Sequence, residues 1–189
     1  MESVEAKILN AAINLFSEKG YSATSIRDIA NEVDLTSATL YHYMKNKKEL
    51  LDLVMERYLN HLISGAEKVL QHIGNASAEE KLGELIKYHV KTHGNERLPA
   101  LVVDTEYRSL EGESKQKIKA QRNKYEQIWK DILDEGKRQG QFHFQDLHIT
   151  SFAIISLCTG VAHWYRSDGR LGLDEIAEQY AIYGQKIVQ

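Results

Sequence analysis

The chain has few of the residues that mark disulfide-rich or loop-rich proteins, and each scarcity narrows its class. Its 189 residues include one cysteine, Cys158, and one proline, Pro99. A single cysteine cannot form an internal disulfide, so a disulfide-stabilised secreted domain is excluded, and its apolar neighbours indicate an inert, packed thiol. One proline and 12 glycines leave long stretches without helix breakers. The composition therefore favours a mostly helical protein.

Targeting segments and catalytic motifs are also missing. The sequence shows no run of about 18 apolar residues and no secretory segment at its start, so we expect no membrane partner and a cytoplasmic location. It contains no phosphate-binding glycine loop, no HExxH and no nucleophile elbow. We therefore predict that the chain is not an enzyme and needs no cofactor. A small helical enzyme or ligand carrier is the alternative.

Positive charge is scarce as well. Lys and Arg number 24 against 27 Asp and Glu, a formal net charge of −3, which gives no general attraction to nucleic acid. Four of the six basic residues in residues 1–50 nevertheless lie between positions 27 and 48, namely Arg27, Lys45, Lys47 and Lys48. Phosphate contact needs cations only on the contacting surface. We predict modest non-specific DNA affinity, and specific binding that depends on two copies acting together.

Residues 25–44 carry a helix-turn-helix pattern. Ser25 followed by Asp28 predicts an N-terminal capping box for the first helix. Thr36 or Ser37 can cap a second, short helix. That helix leaves small and polar side chains facing outward, where they can approach DNA bases, namely Ser37, Ala38, Thr39, His42 and Tyr43.

Residues 4–55 resemble the N-terminal domain of the TetR family of bacterial repressors. The matching pieces stand at the family's spacing, with no insertion or deletion between them. They are Gly20-Tyr21, Thr24–Ala30, Thr39–Tyr41 and Lys47–Leu51. The resemblance implies a homodimeric transcriptional repressor that binds a palindromic operator in double-stranded DNA. It also implies two sets of contacts: phosphates at Ser25, Thr36, Tyr41 and Lys47, and the groove at Arg27, Ser37, Ala38, Thr39, His42 and Tyr43.

Two positions depart from this family pattern. Asp34 stands where the family usually has glycine, so we expect the turn to keep its shape with some backbone strain. Tyr43-Met44 replaces a common His-Phe pair. Two alternatives remain for residues 25–44: they complete a three-helix packing unit, or they bind a protein instead of DNA.

The whole sequence predicts an all-α fold with two domains. A three-helix helix-turn-helix DNA-binding domain covers residues 1–48, and a long helix joins it to a helical ligand-binding and dimerisation domain, residues 49–189. Within the second domain, Pro99 is expected to open a helix that Gly112 closes. Residues 115–138 form a further strong helix.

Residues 147–166 and 173–188 predict a dimer interface. The first of these segments is apolar nearly all round, and such a helix must be covered on most sides. A second copy of the same pair gives a two-fold four-helix interface. Burial within the chain alone is the alternative.

An effector site is expected in the second domain, because the family implies ligand-controlled DNA binding. Ligand pockets are mostly apolar with a few placed polar groups. Each candidate also has an interpretation as an ordinary packed or surface residue. The candidates are polar or aromatic residues on apolar stretches: His89, His93, Tyr107, Arg108, Arg122, Tyr125, Trp129, His163, Trp164, Arg166 and Arg170.

Residues 160–178, GVAHWYRSDGRLGLDEIAE, resemble a branch of the family that responds to acyl-coenzyme A thioesters. Arg166 and Arg170 can hold a pyrophosphate, and Trp164 can stack on adenine or line an acyl channel. The segment can instead shape the dimer interface. The predicted effector is a fatty, aromatic or steroid-derived acyl-CoA. A metal, for which His89 and His93 would supply half a site, or another small molecule is the alternative.

Overall fold

The computed structural model describes residues 3–189, and over that range every regular element is a helix. The all-α prediction is confirmed. Met1 and Glu2, which open the predicted DNA-binding domain, lie outside the described residues. A 3₁₀ turn, Glu106–Ser109, follows the sixth helix. The helices are α1 Val4–Lys19, α2 Ile26–Glu32, α3 Ser37–Leu40, α4 Lys47–Ile73, α5 Ala78–Asn95, α6 Arg97–Thr105, α7 Gly112–Arg138, α8 Leu147–Thr159, α9 Val161–Trp164 and α10 Leu173–Ile187.

Local capping fixes where several helices begin. Ser25 and Asp28 form the predicted capping box of α2: the Ser25 amide donates to the Asp28 carboxylate at 2.8 Å, and the Asp28 amide donates to the Ser25 hydroxyl at 3.1 Å. Ser77 and Glu80 form the same arrangement at the start of α5. These bonds satisfy amides that have no partner within the helix.

Asp34 adopts the left-handed backbone conformation, which agrees with the prediction that the turn keeps its shape with some strain. Its φ is 56°, in the turn between α2 and α3. No other non-glycine among residues 3–189 has a positive φ. The helix-turn-helix therefore keeps a turn shaped for glycine while carrying an acidic side chain there.

Two helix boundaries differ from the sequence prediction. Gly112 begins α7, with φ 56°, whereas α6 has already ended at Thr105, so the prediction that Gly112 closes that helix is wrong. Pro99 does lie in the first turn of α6, two residues after its start. The helix predicted over residues 147–166 ends at Thr159, and Gly160 separates it from α9.

One stretch passes a test for membrane spans by length and composition. Leu147–Trp164 has a mean hydropathy of 1.3, although it is not an unbroken apolar run, since it contains polar residues such as Thr150 and Ser151. Its backbone is interrupted at Gly160, and small polar side chains, Thr150 and Ser151, lie on its buried side. Only 33 % of the stretch is buried within the chain. Its outer side therefore exposes apolar surface.

The described chain divides into two compact units. The first ends at Tyr58 and also contains Leu98–Ala120; the second contains Leu59–Arg97 and Gln121–Gln189. The predicted domain boundary after residue 48 stays a prediction. Each unit has its own core of fully buried side chains: Ile8, Phe16, Ile29, Leu40, Leu51 and Met55 in the first, and Leu82, Leu85, Ile86, Trp129, Leu133 and Ile154 in the second.

Candidate DNA-binding surface and effector site

Helix α3 is short, and its cap fixes which side faces outward. The Thr39 amide donates to the Thr36 hydroxyl at 3.1 Å, which identifies Thr36 rather than Ser37 as the N-cap. Leu40 and Met44 are buried as predicted. Beside them, Tyr41 and Tyr43 are 53 % and 43 % exposed. The turn after α3 thus presents aromatic surface to solvent.

The predicted DNA-contacting residues lie at the start of α2, on α3 with its flanking residues, and at the start of α4. Three of the ten are partly buried: Ser37, Thr39 and Lys47. The other seven are exposed: Ser25, Arg27, Thr36, Ala38, Tyr41, His42 and Tyr43. This exposure is compatible with DNA contact, and the individual contacts stay predictions.

Ser25 already has a local partner. Its hydroxyl donates to the Asp28 carboxylate at 2.6 Å and accepts the Asp28 amide. These hydrogen bonds from the Ser25 side chain and backbone lower the pKa of Asp28, which therefore stays ionised at the start of α2. A fixed carboxylate at this point repels phosphate, so it restricts the direction from which DNA can approach Ser25.

Lys47 is held inside the first unit instead of extending into solvent. Its ammonium group donates to the carbonyl oxygens of Tyr21 at 2.7 Å and Thr24 at 2.6 Å, and it lies 4.2 Å from the centre of the Tyr21 ring. Burial, followed by the nearby Asp52 carboxylate, raises the pKa of Tyr21. Lys47 therefore fastens the start of α4 to the chain between α1 and α2. A phosphate contact must use its remaining N–H.

Sequence reasoning missed the residues that attach the segment after α6 to the chain on either side of the helix-turn-helix. The Glu106 carboxylate accepts the backbone amide of Tyr21 at 3.1 Å and the Ser109 hydroxyl at 2.7 Å. Ser114 bonds both Lys48 and Asp52 near the start of α4. Glu106 and Tyr21 are 85 positions apart, so no local pattern indicates the contact.

A buried polar cluster lies between α5, α7 and α8 in the second unit. Nδ1 of His89 is 2.9 Å from the Tyr125 hydroxyl, and its Nε2 is 3.1 Å from the Thr159 hydroxyl. The His93 ring stacks on the His89 ring at 3.8 Å, and the Trp129 ring meets His89 edge-on at 5.6 Å. Sequence reasoning missed Thr159, because it lies 70 positions from His89.

Burial keeps His89 neutral. It lowers the pKa of His89 well below the ordinary 6.5, and the neighbouring His93 lowers it further. Trp129 is fully buried, and its indole nitrogen has no hydrogen-bond partner among residues 3–189. A buried donor without a partner is costly, and a ligand or water with an acceptor atom can satisfy it.

The other predicted ligand residues lie apart from this cluster along the chain. Tyr107 and Arg108 belong to the 3₁₀ turn in the first unit. Four are near the connection from α9 to α10, namely His163, Trp164, Arg166 and Arg170, and all four are exposed. The Trp164 ring stacks on Tyr180 at 6.4 Å, and Arg166 Nε is 3.4 Å from Asp168. Among the predicted effector-site residues, the described contacts join His89, His93, Tyr125 and Trp129.

Two other predictions concern the Cys158 thiol and a possible metal site. Burial raises the pKa of the Cys158 thiol to about 12, so the thiol stays protonated and unreactive, as its apolar neighbours indicated. For the metal alternative, residues 3–189 contain no group of three or more His, Cys, Asp or Glu side chains placed to hold an ion.

Helices α8 to α10 carry several bulky apolar side chains on the outside. The buried side of α8 contains Thr150, Ser151, Ile154 and Cys158. The exposed large apolar side chains of these helices are Ile149 at 69 %, Phe152 at 48 %, Trp164 at 51 %, Ile182 at 44 %, Tyr183 at 50 % and Ile187 at 39 %. An exposed apolar surface of this kind is typical of protein–protein contact.

Comparisons with known proteins find relatives for both the N-terminal and the C-terminal part of the chain. Residues 8–54 match the family of bacterial regulatory proteins of the tetR type, and residues 75–188 match the tetracyclin repressor-like C-terminal domain. The HTH-type transcriptional repressor KstR2 of Mycolicibacterium smegmatis is 28 % identical over 92 % of this chain and 85 % of its own length.

Solved structures show the same fold. The TetR family transcriptional regulator PfmR from Thermus thermophilus has a TM-score of 0.84 and 30 % identity, over 95 % of this chain and 97 % of its own. AibR in complex with isovaleryl coenzyme A and operator DNA has a TM-score of 0.83 and 24 % identity, over 94 % and 95 % of the two chains. The chain belongs to the TetR family of bacterial regulatory proteins, and it is a DNA-binding transcriptional regulator, not an enzyme.

Proposed function

We propose that the chain is a homodimeric repressor that binds a palindromic operator and is released from it by an acyl-CoA or similar hydrophobic effector. The observation that carries the proposal is the exposed apolar face of α8 and α10, with Ile149, Phe152 and Tyr183 between 48 % and 69 % exposed. A second copy covers such a face through the same surface on both subunits. Two-fold symmetry then requires a two-fold symmetric operator.

The dimer accounts for how a chain without net positive charge binds DNA specifically. Two α3 helices roughly 34–36 Å apart enter successive major grooves on one side of the duplex. Seven exposed residues per copy are then available for contact, including Arg27, Tyr41 and His42. We place the DNA-binding domain at residues 1–48 and the ligand-binding and dimerisation domain at residues 49–189, in a cytoplasmic protein.

The effector site is proposed around His89, Tyr125 and Trp129. A site with the neutral His89 imidazole, the Tyr125 hydroxyl and an unsatisfied indole donor suits a carbonyl-bearing, largely apolar molecule. Arg166 and Arg170 are proposed to bind the phosphates of coenzyme A. AibR, which shares this fold, binds isovaleryl coenzyme A. An effector releases DNA only if it binds the DNA-free conformation more tightly.

Operator selection from a random DNA pool tests the proposal. We expect an enriched inverted repeat, a protein dimer by light scattering, and elution of bound DNA by at least one acyl-CoA from a panel of chain lengths and ring types. Selection of a non-repeated sequence, or a monomer at micromolar concentration, would contradict the dimeric repressor. Elution by a metal salt or a free small molecule, with none by any acyl-CoA, would contradict an acyl-CoA effector and identify the eluting compound as the effector class.

A further inference from the structure

The outward surface of α3 contains no side chain that makes a two-point hydrogen bond to a base. Residues 35–44 include no Arg, Lys, Asn or Gln. These are the residues whose paired atoms read guanine or adenine in the major groove. His42, which is exposed, offers a single hydrogen bond at a time. Base identity at this helix must therefore be read mainly through other contacts.

Two residues of α3 offer methyl groups as another means of recognition. Ala38 is exposed and presents only its β-methyl group. The Thr39 hydroxyl is joined by a 2.9 Å hydrogen bond to the Thr36 hydroxyl, which already accepts the Thr39 amide. The helix cap thus uses part of the hydrogen-bonding capacity of this hydroxyl, and the γ-methyl group is the apolar group that the partly buried Thr39 side chain offers.

Thymine is the base that matches such a surface. Its C5-methyl group is the apolar feature of the major groove, and alanine and threonine methyl groups pack against it. We propose that Ala38 and Thr39 are specificity-determining residues, which select thymine in each operator half-site by methyl–methyl contact. This inference rests on the proposed function, since it requires α3 to lie in the major groove.

Replacing thymine by deoxyuridine tests the inference, because it removes the methyl group and leaves every hydrogen-bonding atom in place. Each thymine of the selected operator is replaced in turn, and affinity is measured by fluorescence anisotropy at one salt concentration. We expect one or two positions in each half-site to weaken wild-type binding by roughly 3- to 10-fold. Replacements outside the half-sites are the DNA control.

Matched protein variants identify which methyl group is read. Thr39→Ser removes the methyl group and keeps the hydroxyl, and Ala38→Gly removes the methyl group of Ala38. Each is expected to bind thymine and deoxyuridine equally at one position. Thr39→Val keeps a methyl group without the hydroxyl and should preserve the thymine/deoxyuridine ratio. Thermal melts show that each variant folds, and the ratio does not depend on the folded fraction.

Several results would overturn the inference. Tight operator binding by the wild type, with no sensitivity to deoxyuridine at any position, excludes thymine-methyl recognition. Sensitivity that persists unchanged in both Thr39→Ser and Ala38→Gly assigns the contact to other residues. If no operator is selected at all, the proposed function itself fails. A selected operator that is insensitive to deoxyuridine contradicts only this inference, so the two failures are distinguishable.

Discussion

The Lys47 ammonium group donates a 2.7 Å hydrogen bond to the Tyr21 carbonyl oxygen and lies 4.2 Å from the centre of the same residue's ring. A second bond, to the Thr24 carbonyl oxygen, makes Lys47 a cross-link between α4 and the chain that leads into α2. The family resemblance assigns this lysine to phosphate binding. Its position gives it a structural role as well, and stability measurements can separate the two.

We predict that Lys47→Ala lowers the free energy of unfolding by about 1.5–3 kcal/mol, because two carbonyl groups lose a charged donor. Urea denaturation of the DNA-free protein measures the change. Lys45→Ala is the matched control, since it removes an exposed lysine two positions away. Equal stability of the two variants would show that the Lys47 bonds contribute nothing, and would leave phosphate binding as its only role.

At Asp34, in contrast, we predict a substitution that raises the free energy of unfolding. With φ at 56°, its backbone is in a region that glycine adopts at little cost. We expect Asp34→Gly to raise the free energy of unfolding by about 0.5–1 kcal/mol, and Asp34→Val to lower it by about 1–2 kcal/mol, because a β-branched side chain is most strained there. Thermal and urea melts of the three proteins check the order Gly, Asp, Val. Any other order would mean that the turn is not strained.

The features that sequence alone predicted are those fixed by neighbours a few residues apart. The capping box of Ser25 and Asp28 is one example, and the strained turn at Asp34, expected from the family glycine, is another. Gly112 shows the limit of such signals, because a left-handed glycine can equally precede a helix or follow one. The sequence could not indicate whether Gly112 ends α6 or starts α7.

The candidate sites were predictable only in part, for a related reason. Helical periodicity places His89 on an inward face, yet its partner Thr159 is 70 positions away and follows no local pattern. Lys47 looks like a solvated helix start from its neighbours Lys45 and Lys48, whereas the fold directs its side chain to carbonyl groups more than 20 positions earlier. Tertiary contacts of this kind decide a side chain's role.

The apolar face of α8 and α10 predicts how dimerisation can be disrupted. Phe152→Glu places a carboxylate on the proposed two-fold interface, where burial of an unpaired charge costs several kcal/mol per copy. We expect the variant to sediment as a monomer at micromolar concentration while keeping its helix content. It should also bind the operator at least about 10-fold more weakly, since one half-site remains per molecule.

Gln116→Glu is the control for this substitution, because it adds the same charge to an exposed position on α7. It should remain a dimer with wild-type operator affinity. Unchanged dimerisation of Phe152→Glu would locate the interface elsewhere and remove the support that the exposed face gives to the repressor proposal.

The buried His89 predicts how stability depends on pH. Its pKa in the folded chain lies well below 6.5, whereas in the unfolded chain it returns to about that value, so the unfolded chain binds the extra proton first. Well above pH 6.5 His89 is neutral in both the folded and the unfolded chain, so it does not make the free energy of unfolding depend on pH. As the pH falls below 6.5 the free energy of unfolding should drop, by at most about 1.4 kcal/mol per pH unit from this one proton.

Urea denaturation between pH 5 and 8 should therefore show a shallower pH dependence for His89→Gln than for the wild type. The variant is expected to be less stable at pH 8, because Tyr125 and Thr159 lose their shared partner. His72→Gln, which changes an exposed imidazole, should keep the wild-type slope. His93 stacks on His89 and lowers its pKa, so a slope that His89→Gln leaves unchanged would assign the titration to His93 or to another group.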